Sequence, residues 1–444
     1  MDELAQTLED FIDDTRLSAR PSVEHLRKRS QRRHHRRLLG SSVVVVALVL
    51  GLIVGLLPGH SPNTVRNSVT ELTAFRAGTT AFSQAGGPPV FSYGVIGTKQ
   101  LWVLNGDGLF ISRNGGSSFQ TITPPLGGSP FVRVLAVQFL NLSDGWVLAN
   151  TSEGPTLGLF RTTDGGSTWS LVSLPTFTPE GINGATMDVV NHTDGFISLN
   201  GYVSQGTTTN VLLSTTDGGL TWSVVNRTSP VRYVEFTGTE VGWGLDGEGT
   251  ANHLYRTDDG GGTWTEASLS VQDSASDSSV RAISWELPSF FGERGVIVGR
   301  TLGMGVIQPV IMSSIDGGSA WNPAPRRPVS QPACTTNMCA NSLLPFAAVS
   351  GSHWCYWSGI DFYTTDDSGL AWTKWLPNIA FAKSNRTIVN FVAGSQYGNL
   401  AAPITFSSVS DGWAIASSGN VSLILSTHDA GHHFIAFHSP AATS

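Results

Sequence analysis

One short phrase recurs seven times along this chain, and it restricts the fold more than any other feature. The phrase is Ser/Thr-x-Asp-x-Gly-x-x-Trp. Its second copy reads Thr162-Thr163-Asp164-Gly165-Gly166-Ser167-Thr168-Trp169, and its third Thr215-Thr216-Asp217-Gly218-Gly219-Leu220-Thr221-Trp222. The acidic position is Asn114 in the first copy, then Asp164, Asp217, Asp259, Asp316, Asp367 and Asp429. Phe119 and Phe434 replace the Trp in the first and last copies. Successive copies are 50, 53, 42, 57, 51 and 62 residues apart, and a period near 52 suits one four-stranded propeller blade per repeat.

Each copy lies between two apolar runs. Leu157-Gly158-Leu159-Phe160 precedes the second, and Ser170-Leu171-Val172 follows it, which reads as strand, tight turn, strand. In such a turn the Asp accepts hydrogen bonds from nearby amides, the Gly takes positive φ, and the Trp covers the outer edge of the blade. A second signature lies further upstream in several units: Asp144-Gly145-Trp146, Asp194-Gly195-Phe196, Val241-Gly242-Trp243 and Asp411-Gly412-Trp413. It marks entry into a blade's second strand. The expected fold is all-β, a seven-bladed β-propeller of four-stranded blades. Seven units close a ring and leave no free sheet edge between blades. Two routes to closure stand at this point: packing of the last unit on the first, or a strand donated by Glu71-Leu72-Thr73-Ala74-Phe75.

The repeat resembles the Asp-box, or BNR, repeat of sialidases, sortilin-type receptors, xyloglucanases and the photosystem II assembly and stability factors. The resemblance covers roughly residues 88–438. In those families the box is a rim turn, so it implies a structural role for these Asp, Gly and Trp positions and leaves activity open. The single propeller and the blade number fit the assembly-factor pattern best. That pattern implies a non-catalytic binding or scaffold protein; the alternative is a sialidase-like hydrolase of extracellular glycans. A sialidase would carry an Arg-Ile-Pro motif, which this chain lacks, and most have six blades. The missing Cys-rich modules after the propeller speak against a sortilin-like receptor.

Ahead of the repeats, Leu38 to Leu57 is twenty residues without a charge, LLGSSVVVVALVLGLIVGLL. At about 1.5 Å per residue this spans the ~30 Å apolar layer of a bilayer. The stretch Arg27–Arg37 before it is dense in cations, which places the N-terminus in the cytoplasm and the rest outside. A 37-residue leader is too long for a cleaved signal peptide. The expected division is a basic cytoplasmic tail over 1–37, a transmembrane helix over 38–58, a Ser/Thr/Gly-rich linker over 59–87 and the propeller over 88–440. Gly51 and Gly55 lie on a small-residue stripe suited to pairing two such helices in a homodimer. Residues 59–444 hold 17 Lys/Arg and 26 Asp/Glu, a balance that argues against nucleic acid as a partner. The expected partners are therefore the membrane itself and an extracytoplasmic protein or glycan.

For a binding site, the candidates are Arg133, Arg232 and Arg281, each opening the inner strand of a blade as Val-Arg-x. Guanidiniums gathered near the ring axis would hold a carboxylate or phosphate by bidentate hydrogen bonds. Asp188 stands at a similar place and would neutralise one of them. Cys334 and Cys339 suit a loop disulfide outside the cytoplasm, leaving Cys355 unpaired or buried. The cluster His428, His432, His433 and His438 spans a turn and is not assigned a metal. No catalytic residue and no cofactor is assigned.

Overall fold

Alternation along the second strand of each unit decides how the units stack. In blade two this strand is Gly145–Asn150: Trp146 and Leu148 join an apolar cluster shared with blade three, and Val147 joins the one shared with blade one. Successive side chains leave a strand on opposite faces, so a strand apolar on both faces needs a sheet on each side. The computed structural model of the protein describes residues 79–81, 88–126, 134–150, 157–176, 181–203, 207–247, 252–267, 269, 282–302, 309–325, 346–357, 361–381, 387–389, 404–418 and 421–441. They form seven sheets, the blades of a seven-bladed β-propeller.

Blade one is Val90–Val95, Leu101–Asn105, Gly108–Ser112 and Gln120–Thr121. The other blades repeat this plan from Val134, Gly181, Tyr233, Ala282, Phe346 and Thr405. Blade five has an extra strand, Ser289–Phe291, paired with Arg294–Leu302. The second-strand glycines expected from the sequence, Gly145, Gly195, Gly242 and Gly412, each open that strand. The aromatic that follows is buried in every case: Trp146, Phe196, Trp243 and Trp413 are at most 4% exposed. Burying a Trp of this kind contributes roughly 4–6 kcal/mol relative to exposure, before the entropy of ordering it.

Seven apolar clusters lie between consecutive blades, one at each junction. The last joins blade seven to blade one through Trp413, Ile415 and Ile424 against Val90, Leu101 and Val103. Closure is thus by packing of blade seven on blade one, since the four strands that make up the blade proper are consecutive in the chain in every unit, blade five's extra strand aside. Polar contacts reinforce this seam. The Val90 amide donates to Ser422 Oγ (3.0 Å), Asn105 Nδ2 donates to Ser439 Oγ (3.0 Å) and the Pro440 carbonyl (2.6 Å), and the Tyr93 hydroxyl donates to the Trp413 carbonyl (3.1 Å).

The stretch Glu71–Phe75 lies outside the described residues, but a neighbouring segment of the expected linker does form a strand. Thr79–Ala81 pairs in parallel with Thr387–Val389. That strand pairs with Asn378–Phe381, which lies parallel to His433–His438 at the outer edge of blade seven. The linker therefore enters the propeller at the rim of the seam blade. Among the described residues no helix is long and apolar enough to cross a membrane. The expected helix over 38–58, the tail before it, and Gly51 and Gly55 lie outside the described residues.

Candidate functional site

The two ends of the ring are built differently. At one end lie the turns between first and second strands and the repeated turns between third and fourth strands. In all seven copies of the latter, the Ser/Thr hydroxyl accepts the amide of the second Gly position at 2.8–3.0 Å. The same hydroxyl donates to Oδ1 of the Asp (or Asn114) at 2.7–3.1 Å. That oxygen also accepts the amide four residues on, at 2.8–3.0 Å. The amide just after the Asp donates to a carbonyl in the first turn of the same blade, as Gly218 does to Thr193 (2.7 Å). Each unit's two turns are thereby stapled together.

These bonds occupy the carboxylates. The Thr168 and Thr221 hydroxyls, with the amides of the same residues, hold Asp164 and Asp217 down to about 2 from their ordinary 3.8. The Thr263 amide and hydroxyl do the same for Asp259, also to about 2. Groups so saturated stay ionised, and they are poor proton donors or acceptors near neutral pH.

The opposite end is where inner strands begin and where the expected Arg site belongs. Arg232 immediately precedes the inner strand of blade four, Tyr233–Phe236, and its amide donates to the Leu245 carbonyl at 2.7 Å. Its guanidinium carbon lies 5.3 Å from the centre of the Tyr233 ring. It also reaches over blade three, with Nη2 3.5 Å from where a Cβ on Gly184 would stand. Glycine there leaves the space that the guanidinium uses. Among the described residues no carboxylate pairs with Arg232.

Asp188 does not serve as that partner. It is buried, and it accepts the Phe236 amide across the junction of blades three and four. It sits four residues beyond Gly184, roughly 13 Å along the strand at about 3.3 Å per residue. Gln138 does the same one junction earlier, its Oε1 accepting the Val189 amide at 2.7 Å. One junction later, buried Asn252 bonds both the amide (2.7 Å) and the carbonyl (2.9 Å) of Trp285.

Arg133 and Arg281 lie outside the described residues. The strand residues that follow them pair at different heights above the turn end. Val134 faces Ala149, Tyr233 faces Leu245 and Ala282 faces Leu302, which are four, three and seven residues beyond Gly145, Gly242 and Gly295.

Arg161 and Arg256, absent from the sequence-based candidates, do structural work. Each immediately precedes a repeat's Thr and faces the second-strand Trp, with guanidinium carbons 5.9 Å and 5.7 Å from the Trp146 and Trp243 rings. Arg161 Nε also donates to the Gly218 carbonyl of the next blade (2.9 Å). Their fixed offset from the repeat was the available signal.

Histidines at the turn end pair with carboxylates. His428 Nδ1 is 2.8 Å from Asp411 Oδ1, and His433 Nδ1 is 2.5 Å from Asp429 Oδ2. His432 stacks on Trp375 instead, ring centres 4.0 Å apart. His353 Nδ1 bonds Asp366, and its Nε2 is 3.7 Å from the thiol of free, fully buried Cys355. Burial pushes that thiol well above its ordinary range, so it is held protonated and out of reach of a substrate. Cys334 and Cys339 lie outside the described residues.

No protein-family profile matches the chain, and no curated protein matches it in sequence. Similar solved structures are propellers. They include YCF48 bound to a D1 peptide, 14% identical with a TM-score of 0.48, covering 77% of this chain and 92% of that one. They include YCF48 from Cyanidioschyzon merolae, 15% identical with a TM-score of 0.42, covering 78% and 96%. They also include the GH93 α-L-arabinofuranosidase of Fusarium graminearum with arabinobiose, 13% identical with a TM-score of 0.37, covering 66% and 93%. Likeness at this level says nothing of activity.

Proposed function

We propose that the chain is a membrane-held binding propeller, a scaffold or assembly-type protein that captures an acidic group of an extracytoplasmic protein or glycan at the end where its inner strands begin. One observation carries this reading. The Arg232 guanidinium lies over Tyr233 and Gly184 without a carboxylate partner among the described residues. A guanidinium left in this state suits an incoming carboxylate, which it can grip by two parallel hydrogen bonds. Arg133 and Arg281 are assigned to the same end as further cationic contacts.

The sialidase-like alternative needs a Tyr nucleophile with a Glu partner and a free Asp acid/base at the reacting bond. On the described inner strands the acidic residues are Asp188 and Glu235, and Asp188 is committed to the Phe236 amide. The chain's own residues thus favour capture over cleavage. In this reading the segment 38–58 crosses the membrane once, with residues 1–37 in the cytoplasm and the ring outside. Pairing of two stems through Gly51 and Gly55 would place two rings side by side.

The test is photo-crosslinking of the full chain in its native membrane, comparing wild type with Arg232→Ala and with the Arg133→Ala/Arg232→Ala/Arg281→Ala variant. Loss of the crosslinked ligand with unchanged thermal stability is expected. Undiminished capture discards the Arg site, and hydrolysis of a fluorogenic sialoside by the purified chain discards the binding role.

A further inference from the structure

The turn end concentrates the charge of the molecule. In the turns between first and second strands (in blade five the turn 292–293 that follows its extra strand) and between third and fourth strands of the seven blades lie 13 Asp/Glu and 2 Lys/Arg. The rest of residues 59–444 then holds 13 acidic and 15 basic residues. Arg161 and Arg256 also reach this face from the adjoining strands, on the Gly218 carbonyl (2.9 Å) and on Asp258 (2.6 Å), and acidic residues still outnumber cations there, so the face is net negative. The repeated carboxylates on this face stay ionised, being hydrogen-bonded to their own turns.

Set among these charges are large aliphatic side chains left more than half exposed. Leu220, Ile315, Leu370 and Val409 are 60%, 72%, 55% and 55% exposed, on blades three, five, six and seven. The repeat itself shows that the turn does not need them. Where Leu220 and Leu370 stand, other copies have Ser117, Ser167, Gly262, Ser319 and His432. Where Ile315 stands, other copies have Arg113, Thr163, Thr216, Asp258, Asp366 and His428. An apolar residue at a position that sister units fill with Ser, Thr, Gly, His or charge is not required by the turn, and here four such residues share the net negative face.

We infer that this turn face docks a cationic polypeptide segment that also presents apolar side chains. Charge selects the occupant. An anionic bilayer surface would be repelled by the net negative charge of the face, and a second copy meeting the same face would bring the same charge. The chain's own basic stretch 27–37 lies across the membrane in the proposed topology. A Lys/Arg-rich segment gains from the field of the whole face while its apolar side chains cover Leu220, Ile315 and Leu370. The Arg end and the turn end are opposite ends of the ring, so both can be engaged at once.

The experiment uses the full chain in nanodiscs of zwitterionic lipid, with a fluorescent synthetic Lys/Leu peptide as probe and empty nanodiscs as background. Anisotropy at about 0.15 M salt should show binding that weakens as salt rises. The Leu220→Ser/Ile315→Ser/Leu370→Ser variant should bind roughly tenfold more weakly, without change in thermal stability, since these side chains are exposed. Glu240 and Glu293 are exposed on the same face. Glu240→Lys/Glu293→Lys should weaken the Lys/Leu peptide and strengthen a Glu/Leu counterpart.

Several outcomes overturn the inference. They are no binding above background, binding that ignores the aliphatic substitutions, preferential binding to anionic vesicles, and binding that appears only after residues 1–37 are removed.

Discussion

Two adjacent glycines in one turn should respond very differently to the same substitution. Gly317 and Gly318 both have positive φ, 68° and 84°. A Cβ on Gly317 would meet nothing within 4 Å. A Cβ on Gly318 would fall inside the contact radius of Trp243 Cζ2, with Cη2 at 2.8 Å and Phe290 Cζ at 3.0 Å. Gly317→Ala therefore costs only the left-handed strain of about 1–2 kcal/mol, reduced by roughly 0.4–1 kcal/mol from the stiffer unfolded chain. Gly318→Ala adds about 1–3 kcal/mol for overpacking the junction of blades four and five. The chain has already run half of this comparison. Ser368 and Ala430 occupy the first position in blades six and seven at φ 60° and 61°, whereas the second position is Gly in all seven copies. Urea unfolding of both variants, followed by Trp fluorescence, should place the midpoint of Gly318→Ala clearly below that of Gly317→Ala. Equal midpoints would refute the claim that the second glycine is required by the neighbouring blade rather than by its own turn.

Asp217→Asn should fold, because blade one already carries Asn114 in this place, with Oδ1 accepting the Ser118 amide (2.9 Å) and Nδ2 donating to its hydroxyl (2.8 Å). Asp217 titrates near 3.8 when unfolded and about 2 when folded, so its contribution is present above the first value and fades as pH falls through the second. Wild type should thus lose stability between pH 4 and pH 2, and the Asn variant should lose less; identical acid curves would contradict this. Tyr93→Phe removes the seam bonds to Thr405 Oγ1 (3.2 Å) and the Trp413 carbonyl (3.1 Å), with an expected cost of about 1–3 kcal/mol. Hydrogen exchange should then speed up at residues 90–95 and 412–418 ahead of the other junctions, and a uniform increase would mean that the seam is no special point of opening.

The blade count and the anatomy of the repeated turn were legible in the residues alone, because both are local. Thr215, Asp217 and Gly219 sit within five positions of one another, and their hydrogen bonds close within the turn. Strand alternation was equally plain, since Trp146 and Leu148 need one apolar partner face and Val147 another. What the tertiary structure alone decided was every relation between distant residues. Ring closure depends on whether Trp413 meets Val103 across 310 positions of chain, and no local pattern encodes that distance. The separation of Asp188 from Arg232 is of the same kind: similar places in two units became different heights once the strands were paired. The isolation of Leu220 and Ile315 on an acidic face emerged only when seven turns were brought to one end, because exposure belongs to the assembled surface rather than to any residue in it.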